Sequence, residues 1–391
     1  MQLLTGIVKN YEWGSPDAIP ALLHQPGDGQ PWAEYWLGTH AAGVARLEDG
    51  KPLDTWLRAN PGALSPAERD RFGQRLPFLL KLLAAEQPLS LQAHPSRAEA
   101  EAGFAREQAA GLDIDDPTRN FRDDWPKPEV LVALTPFEAL SGFRDPTATL
   151  TLLDALGVDD EIMKPTFGPL RFREGAAALA EVLLDCLTMD GTRLTILNEV
   201  LAAAVKHADD DGPVGRFARL AITLDEHHPG DPSLLAALLL NHVDLAPGDA
   251  LYTDAGVLHS YLHGVGVELM ACSDNVLRAG LTTKHVDPNA LAAIVDFSPA
   301  PAAVVIPQPD SPAVWRYPTP DAEFALWRVE PTPSSSRELP GNGRARVLLV
   351  VDGHVRLDDL ELVQGQSVFI APSEQPVFSG DAVAYLAAPG V

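Results

Sequence analysis

The chain has 391 residues, of which 46% are hydrophobic, and this length and composition predict more than one domain with buried cores. Its net charge of −25 argues against nucleic acid and anionic membranes as partners. No apolar run reaches about eighteen residues, as a membrane span needs, and residues 1–11 lack the features of a signal peptide. A cytoplasmic location is therefore expected. Cys186 and Cys272 lie far apart in the sequence and are predicted to be reduced thiols.

Residues 1–145 are predicted to form short strands and a helix. The apolar runs at 77–83 and 129–134 are flanked by prolines, as buried strands often are. Ser96 and Glu99 have the spacing of a capping box, which predicts a helix over 96–110. We interpret this region as the first part of a β barrel.

The pattern changes to helical spacing between residues 145 and 242. Asp145 and Pro146 suit the N-cap and first position of a helix. Segments rich in alanine and leucine follow at 174–187, 192–207, 215–227 and 232–241. We therefore predict an inserted helical domain over residues 146–242.

Strands are predicted to return at Leu245, with a further strand at 264–270. Beyond a stretch rich in proline and alanine at 298–312, short runs at 344–351, 355–357, 366–371 and 382–387 predict more strands. The expected fold is mainly β with a helical insertion: two cupin-type jelly-roll barrels plus an α-helical domain. Residues 243–297 would complete the first barrel. Residues 298–391, where His354 is the one histidine, would form a second barrel without a metal site.

Two short segments place potential metal donors two residues apart. Gln92 and His94 would point to the same face of a strand, although this segment alone favours a strand with a polar edge toward solvent. Lys127 and Glu129 have the same spacing before an apolar strand. Charges aimed into a barrel need a partner or a metal, although a surface ion pair is an alternative here.

A third segment contains His259, Tyr261 and His263 at alternating positions. One of these histidines can complete a donor set that already contains a glutamine, a histidine and a glutamate. Such nitrogen and oxygen donors suit zinc, with an open position for water or substrate. We predict that His259 is the ligand and that His263 lies outside the coordination sphere or is exposed.

A fourth segment is small and apolar apart from its charged residues, which are Glu268, Asp274, Arg278 and Lys284. Charges in such surroundings are usually functional or paired. An arginine with a lysine could clamp a phosphate or stabilise an oxyanion. Lysine is scarce in this chain, yet Lys81 and Lys127 also lie in or beside these segments.

Six segments in this order resemble type I mannose-6-phosphate isomerases. They are 11–14 (YEWG), 33–38 (AEYWLG), 92–95 (QAHP), 127–129 (KPE), 249–259 (DALYTDAGVLH) and 268–275 (ELMACSDN). Each segment is weak by itself, but their order and spacing match the family over essentially the whole chain.

The resemblance implies one zinc ion per chain, bound by Gln92, His94, Glu129 and His259. It implies interconversion of mannose 6-phosphate and fructose 6-phosphate through an enediol, which serves mannose metabolism and GDP-mannose supply. The candidate catalytic residues are Arg278, Lys127, Glu268 and Asp274. The candidate substrate-binding residues are Lys81, Lys284, Tyr261 and Trp13. We expect a monomer that binds a small phosphosugar.

Two departures and two alternatives qualify this prediction. The chain has Ala41 and Thr283 where the family usually has proline, which concerns the local backbone and the substrate range and not a ligand or the reaction. Two histidines with one carboxylate also suit the Fe(II) of a non-haem oxygenase, but Gln92 and the cationic residues argue against it. A non-catalytic sugar-binding cupin would be expected to have lost Arg278, Glu268 or a metal ligand, and all of these are present.

Overall fold

A computed structural model of the chain describes residues 1–187, 191–334 and 336–390. Its strands are, in chain order, β1 (Gln2–Thr5), β2 (Ile7–Lys9), β3 (Glu34–His40), β4 (Gly43–Val44), β5 (Arg46–Leu47), β6 (Phe78–Ala85), β7 (Leu91–Ala93), β8 (Glu129–Ala133), β9 (Phe137–Phe143), β10 (Leu240–Leu245), β11 (Ala250–Thr253), β12 (His259–Ala271), β13 (Leu277–Gly280), β14 (Val304–Val305), β15 (Gln308–Ser311), β16 (Val314–Tyr317), β17 (Ala325–Val329), β18 (Arg337–Glu338), β19 (Arg346–Leu357), β20 (Leu360–Val363), β21 (Ser367–Ile370) and β22 (Val377–Ala388).

The helices lie mainly between strands β9 and β10. They are, in chain order, α1 (Ala18–Leu22), α2 (Leu53–Ala59), α3 (Pro66–Phe72), α4 (Arg97–Ala109), α5 (Pro146–Leu156), α6 (Asp160–Phe167), α7 (Pro169–Phe172), α8 (Gly175–Cys186), α9 (Gly191–His207), α10 (Gly212–His227), α11 (Leu234–Ala237) and α12 (Pro288–Ile294), with a short 3-10 helix at Pro61–Ala63. Among the described residues, none of these helices combines the length and the apolar character that crossing a bilayer requires.

The strands form two sheets, and β12 is the central strand of the first. The second half of β12 pairs with β6 and β8, whereas its start pairs with β7 and β9. We call this the site sheet, because β12 brings together strands from distant parts of the chain. The other sheet, the C-terminal sheet, contains β15 to β22 together with β1 and β5.

The sheet-rich fold with inserted helices is confirmed, and the predicted strands at 77–83 and 129–134 are β6 and β8, which are buried throughout. The closing of each sheet into a barrel stays a prediction. The domain division at 145, 242 and 297 is likewise our proposal. One observation refines it: β1 pairs with β21, so the first strand of the chain joins the C-terminal sheet.

The capping residues in the sequence predicted the starts of two helices correctly. The capping box of Ser96 and Glu99 is present at α4, and Asp145 caps α5 by accepting from Thr147 N at 2.9 Å. The predicted helix over 232–241 is wrong in its second half, since α11 ends at Ala237 and β10 begins at Leu240. A short apolar run has no period that separates helix from strand, which explains the error.

The inserted helices cover one face of the site sheet. A single apolar cluster joins α5 to α11 with Leu91, Ala93, Leu277 and Ala279 of β7 and β13. Because side chains alternate along a strand, the residues between these pairs point to the opposite face. Gln92 and Arg278 therefore lie on the face of the site sheet that the helices do not cover.

Gly280 allows β13 to approach the helical segment. Its φ is +121°, and a Cβ atom there would lie 2.1 Å from Ser233 Oγ. The Ser233 hydroxyl accepts a hydrogen bond from Leu281 N at 2.8 Å, which anchors the end of the strand that carries Arg278.

We predict that Gly280→Ala lowers the free energy of unfolding by about 1–3 kcal/mol, because the methyl group overpacks the contact with Ser233. Urea unfolding followed by circular dichroism measures this. Gly230→Ala is the matched control, because Gly230 also has a positive φ of +70° but no atom within 4 Å of the added methyl group. Equal losses in the two variants would contradict the proposed contact.

Candidate active site

Three buried side chains converge where β7, β8 and β12 meet. His94 directly follows β7, Glu129 begins β8 and His259 begins β12, and one ligand atom of each lies within 4.8 Å of the others. His94 Nε2 is 3.4 Å from Glu129 Oε1, and His259 Nε2 is 3.5 Å from Glu129 Oε2. Each carboxylate oxygen therefore faces one imidazole nitrogen.

The hydrogen bonds of the two imidazoles define their tautomers. His94 Nδ1 lies 2.8 Å from Asn275 O, and His259 Nδ1 lies 3.0 Å from Val257 O. Because a carbonyl oxygen can only accept, each Nδ1 carries its hydrogen, and a neutral ring then presents its Nε2 lone pair to Glu129. Burial, with the Lys127 ammonium next, lowers the pKa of His94 to about 4, so this ring is neutral near pH 7.

This arrangement fits a metal ion. Lone pairs that face a carboxylate repel it unless a cation lies between them, and buried His259 Nε2 has no hydrogen-bond partner among the described residues. Lys127 supplies one positive charge, since its ammonium forms an ion pair with Glu129 and lies 3.3 Å from His94 Nε2. Burial would raise the pKa of Glu129, but the Lys127 ammonium acts against burial, and this pKa lies well below its usual range.

Gln92 lies beside this cluster as a potential fourth ligand. It is directly opposite His259 in β12 and opposite Arg278 in β13. Residues opposite each other in antiparallel strands project to the same face, so the Gln92 amide lies on the side of His259. Two imidazoles, a carboxylate and an amide are donors that zinc accepts. The role of each of the four as a ligand is a proposal.

A second buried cluster of charges lies on β3, β6 and β12. Lys81 Nζ is 2.8 Å from Glu268 Oε2 and 3.1 Å from Glu34 Oε1, and the three side chains are at most 9% exposed. Burial lowers the pKa of Lys81, but the two carboxylates outweigh it and raise that pKa above its usual value. Burial raises the pKa of Glu268, which Lys81 opposes.

Glu34 is a site residue that the sequence prediction missed. Its second oxygen accepts from Trp36 Nε1 at 3.0 Å, so Glu34 is held by partners on two strands. The segment 33–38 contained the available signal, because a glutamate inside an otherwise apolar strand requires a buried partner.

Three cations form a group near β13: Arg122, Arg278 and Lys284. Burial and then the neighbouring Arg122 lower the pKa of Arg278. Burial, Arg278 and Arg122 lower the pKa of Lys284 in the same way. Within the described part of the chain, no carboxylate forms an ion pair with any of the three. Arg122 was not predicted, because its loop has no pattern that separates it from surface arginines.

Tyr11 lies against this group. Lys284 Nζ is 6.0 Å from the centre of the Tyr11 ring. The Tyr11 ring also stacks on Trp13, with the two ring centres 5.6 Å apart. Burial and the charge of Glu34 raise the pKa of Tyr11 to about 12, which keeps its hydroxyl protonated. Substrate binding by Trp13 and Lys284 remains a proposal.

Asp274 presents a partly exposed carboxylate near these cations. Its side chain is 42% exposed, and Oδ1 lies 3.3 Å from Nε2 of buried His40, which sequence reasoning did not select. Burial would raise the pKa of Asp274, but the hydrogen bond with His40 and the nearby Lys127 and Arg122 lower it. The carboxylate is therefore ionised near pH 7.

The predictions for His263 and Tyr261 have different outcomes. His263 is exposed, in agreement with its predicted place outside the coordination sphere. Tyr261 is 1% exposed and packs edge-on against Phe137, with ring centres 5.4 Å apart. Its predicted contact with substrate stays a prediction, which this burial disfavours.

We predict that Lys81→Met lowers the free energy of unfolding by about 3–5 kcal/mol at pH 7, because it leaves Glu34 and Glu268 buried without a cation. Loss of Lys81 raises the pKa of Glu268 further above its value in the unfolded chain. The folded variant then takes up a proton more readily, so its stability increases as pH falls from 8 to 5. Chemical unfolding at several pH values measures both effects.

Lys51→Met is the matched control, because Lys51 pairs at 3.9 Å with Asp49 and both side chains are at least half exposed. An exposed pair contributes at most about 1 kcal/mol. If Lys81→Met costs no more than this control, the buried cluster does not depend on Lys81.

Comparisons with known proteins agree with this geometry. Residues 1–146 match the sequence family described as phosphomannose isomerase type I, catalytic domain. The chain is 36% identical over 389 residues to the mannose-6-phosphate isomerase of Escherichia coli (strain K12), covering 96% of both chains. It is 32% identical to that of Rattus norvegicus, covering 95% of this chain and 89% of the relative.

Solved structures give the same result. A zinc-bound mannose 6-phosphate isomerase superposes with a TM-score of 0.90 at 34% identity, covering 100% of this chain and 99% of the other. Another, bound with zinc and yttrium, has a TM-score of 0.90 at 35% identity with both chains fully covered. The resemblance of the six segments is therefore confirmed. The chain belongs to the type I phosphomannose isomerase family.

Proposed function

We propose that the protein interconverts mannose 6-phosphate and fructose 6-phosphate, with one zinc ion bound by Gln92, His94, Glu129 and His259. One observation carries the proposal: a buried set of metal donors lies beside Arg278, which is opposite Gln92 in the sheet and belongs to a group of cations that form no ion pair with a carboxylate among the described residues. The named activity of its relatives and the zinc in related structures support the same conclusion.

The reaction sets three requirements for the site. A proton must move between two adjacent carbons, negative charge on oxygen must be stabilised, and the phosphate must be anchored. Bound zinc supplies Lewis-acid polarisation and a fixed position for the oxygens on the reacting carbons.

We assign the phosphate to Arg122, Arg278 and Lys284. Guanidinium groups bind phosphate oxygens through paired N–H donors, and these cations have no competing ion pair among the described residues. Lys81 was also a candidate for substrate binding, but its ammonium is bonded to Glu34 and Glu268. We therefore propose that Lys81 and Glu268 support the site and do not bind the phosphate.

We assign proton transfer to Asp274 and Lys127. Asp274 is ionised and exposed, so it can accept a proton from a substrate hydroxyl or carbon. Lys127 lies at the metal donors, with its ammonium in contact with Glu129 and His94, where it can donate to a substrate oxygen. Glu268 is 2% exposed and paired with Lys81, which leaves it less able to exchange protons.

A coupled assay that follows fructose 6-phosphate formed from mannose 6-phosphate tests the function. We expect turnover that a strong chelator abolishes and that added zinc restores. Equal turnover in anaerobic buffer separates an isomerase from an iron oxygenase built on the same histidines and glutamate. Absence of turnover in the zinc-supplied protein would contradict the proposal.

Two variants separate metal binding from phosphate binding. We predict that Gln92→Ala lowers zinc content after dialysis and lowers kcat. Arg278→Met should leave zinc content unchanged but raise KM by at least about tenfold, because charge-assisted hydrogen bonds each contribute about 1.5–3 kcal/mol. Metal analysis and steady-state kinetics measure these effects. Zinc loss in Arg278→Met would show that this arginine is not a separate anchor.

A further inference from the structure

Asn275 is fully buried next to the metal donors and has no role in the chemistry described above. Its backbone carbonyl accepts the Nδ1 hydrogen of His94 at 2.8 Å. The same residue therefore determines which nitrogen of His94 faces Glu129. Its side chain contacts residues 122–125.

The Asn275 side chain binds this segment through both ends of its amide. Its Oδ1 accepts from Arg122 N at 2.7 Å and from Asp123 N at 3.2 Å. Its Nδ2 donates to Asp123 O and Trp125 O, each at 2.8 Å, and lies 3.2 Å from Asp123 Oδ1. Only an amide offers both acceptor and donors in this geometry, so a carboxylate of the same shape cannot replace it.

The segment held by Asn275 leads to two parts of the site. It contains Arg122, one of the three cations assigned to phosphate, and within a few residues it continues to Lys127 and Glu129. Asp123 also connects this segment to residue 274, because its Oδ2 accepts a hydrogen bond from Asp274 N at 2.8 Å. His94 and the segment that carries Arg122 are thus joined through one buried residue, by its backbone carbonyl on one side and its side chain on the other.

We propose that Asn275 is a positioning residue that orients His94 for zinc and places Arg122 for phosphate. The part of this inference that concerns phosphate rests on the proposed function. Hydrogen-bond partners of a ligating histidine typically affect metal affinity by about 10–100-fold. Here the partner is a backbone carbonyl, so its position depends on the side chain that anchors residue 275.

Asn275→Asp tests the inference, because it keeps the shape but replaces the Nδ2 donors by an oxygen that faces three acceptors. Zinc affinity of the metal-free protein is measured by competition with a chromophoric chelator. Affinity for inorganic phosphate is measured by calorimetry on the metal-free protein. We expect zinc affinity to fall by about 10–100-fold and phosphate affinity to fall about as much as in Arg122→Met, which should leave zinc affinity unchanged.

Asn241→Asp is the matched control. The Asn241 amide also donates to three carbonyl oxygens, those of Ser141, Gly142 and Ala300 at 2.8–3.0 Å, and none of these residues is a proposed zinc ligand or one of the three cations. A purely structural asparagine should cost stability in both variants and change neither affinity. Wild-type affinities in a folded Asn275→Asp protein would therefore overturn the inference and leave the proposed function intact.

Two further outcomes are decisive. If the wild-type protein binds neither zinc nor phosphate, the proposed function fails and the inference fails with it. If Asn275→Asp does not fold, Ser273→Ala replaces it, since the Ser273 hydroxyl accepts from Asn275 N at 3.2 Å and donates to Asp123 Oδ1 at 2.7 Å. Smaller losses of both affinities in that variant support the inference, and unchanged affinities overturn it.

Discussion

The site depends on the need for positive charge where His94 and His259 face Glu129. Each ring donates its Nδ1 hydrogen to a carbonyl, so its Nε2 is directed at one of the two carboxylate oxygens. Across the two buried clusters, three carboxylates meet two ammonium groups. One negative charge remains, and a divalent cation bound at these donors more than offsets it.

The fold places residues from distant parts of the chain next to one another, because their strands pair with β12. Lys81 and Glu268 are 187 residues apart in sequence but directly opposite in the sheet. The inserted helices cover the apolar face of β7 and β13, which directs Gln92 and Arg278 to the other face. The long helical insertion therefore lies between strands that must pair, and it closes the apolar side of the sheet that holds the metal donors.

Sequence patterns predicted the features that depend on neighbouring residues. The spacing of Gln92 with His94, the cap of α5 and the buried runs of β6 and β8 are local, and they were found. Glu34 was missed although its place in an apolar strand was a local signal. His40 and Asn275 were missed because their partners, Asp274 and residues 122–125, lie far along the chain. The end of α11 was misplaced because a short apolar run fits a helix and a buried strand equally well.

The most direct test of the account is a zinc titration of the metal-free protein, followed by both bound metal and turnover of mannose 6-phosphate. The account predicts that turnover rises in proportion to bound zinc and reaches its maximum at one zinc per chain. Turnover at zero bound zinc, or a maximum at a different ratio, would contradict a single catalytic zinc held by these donors.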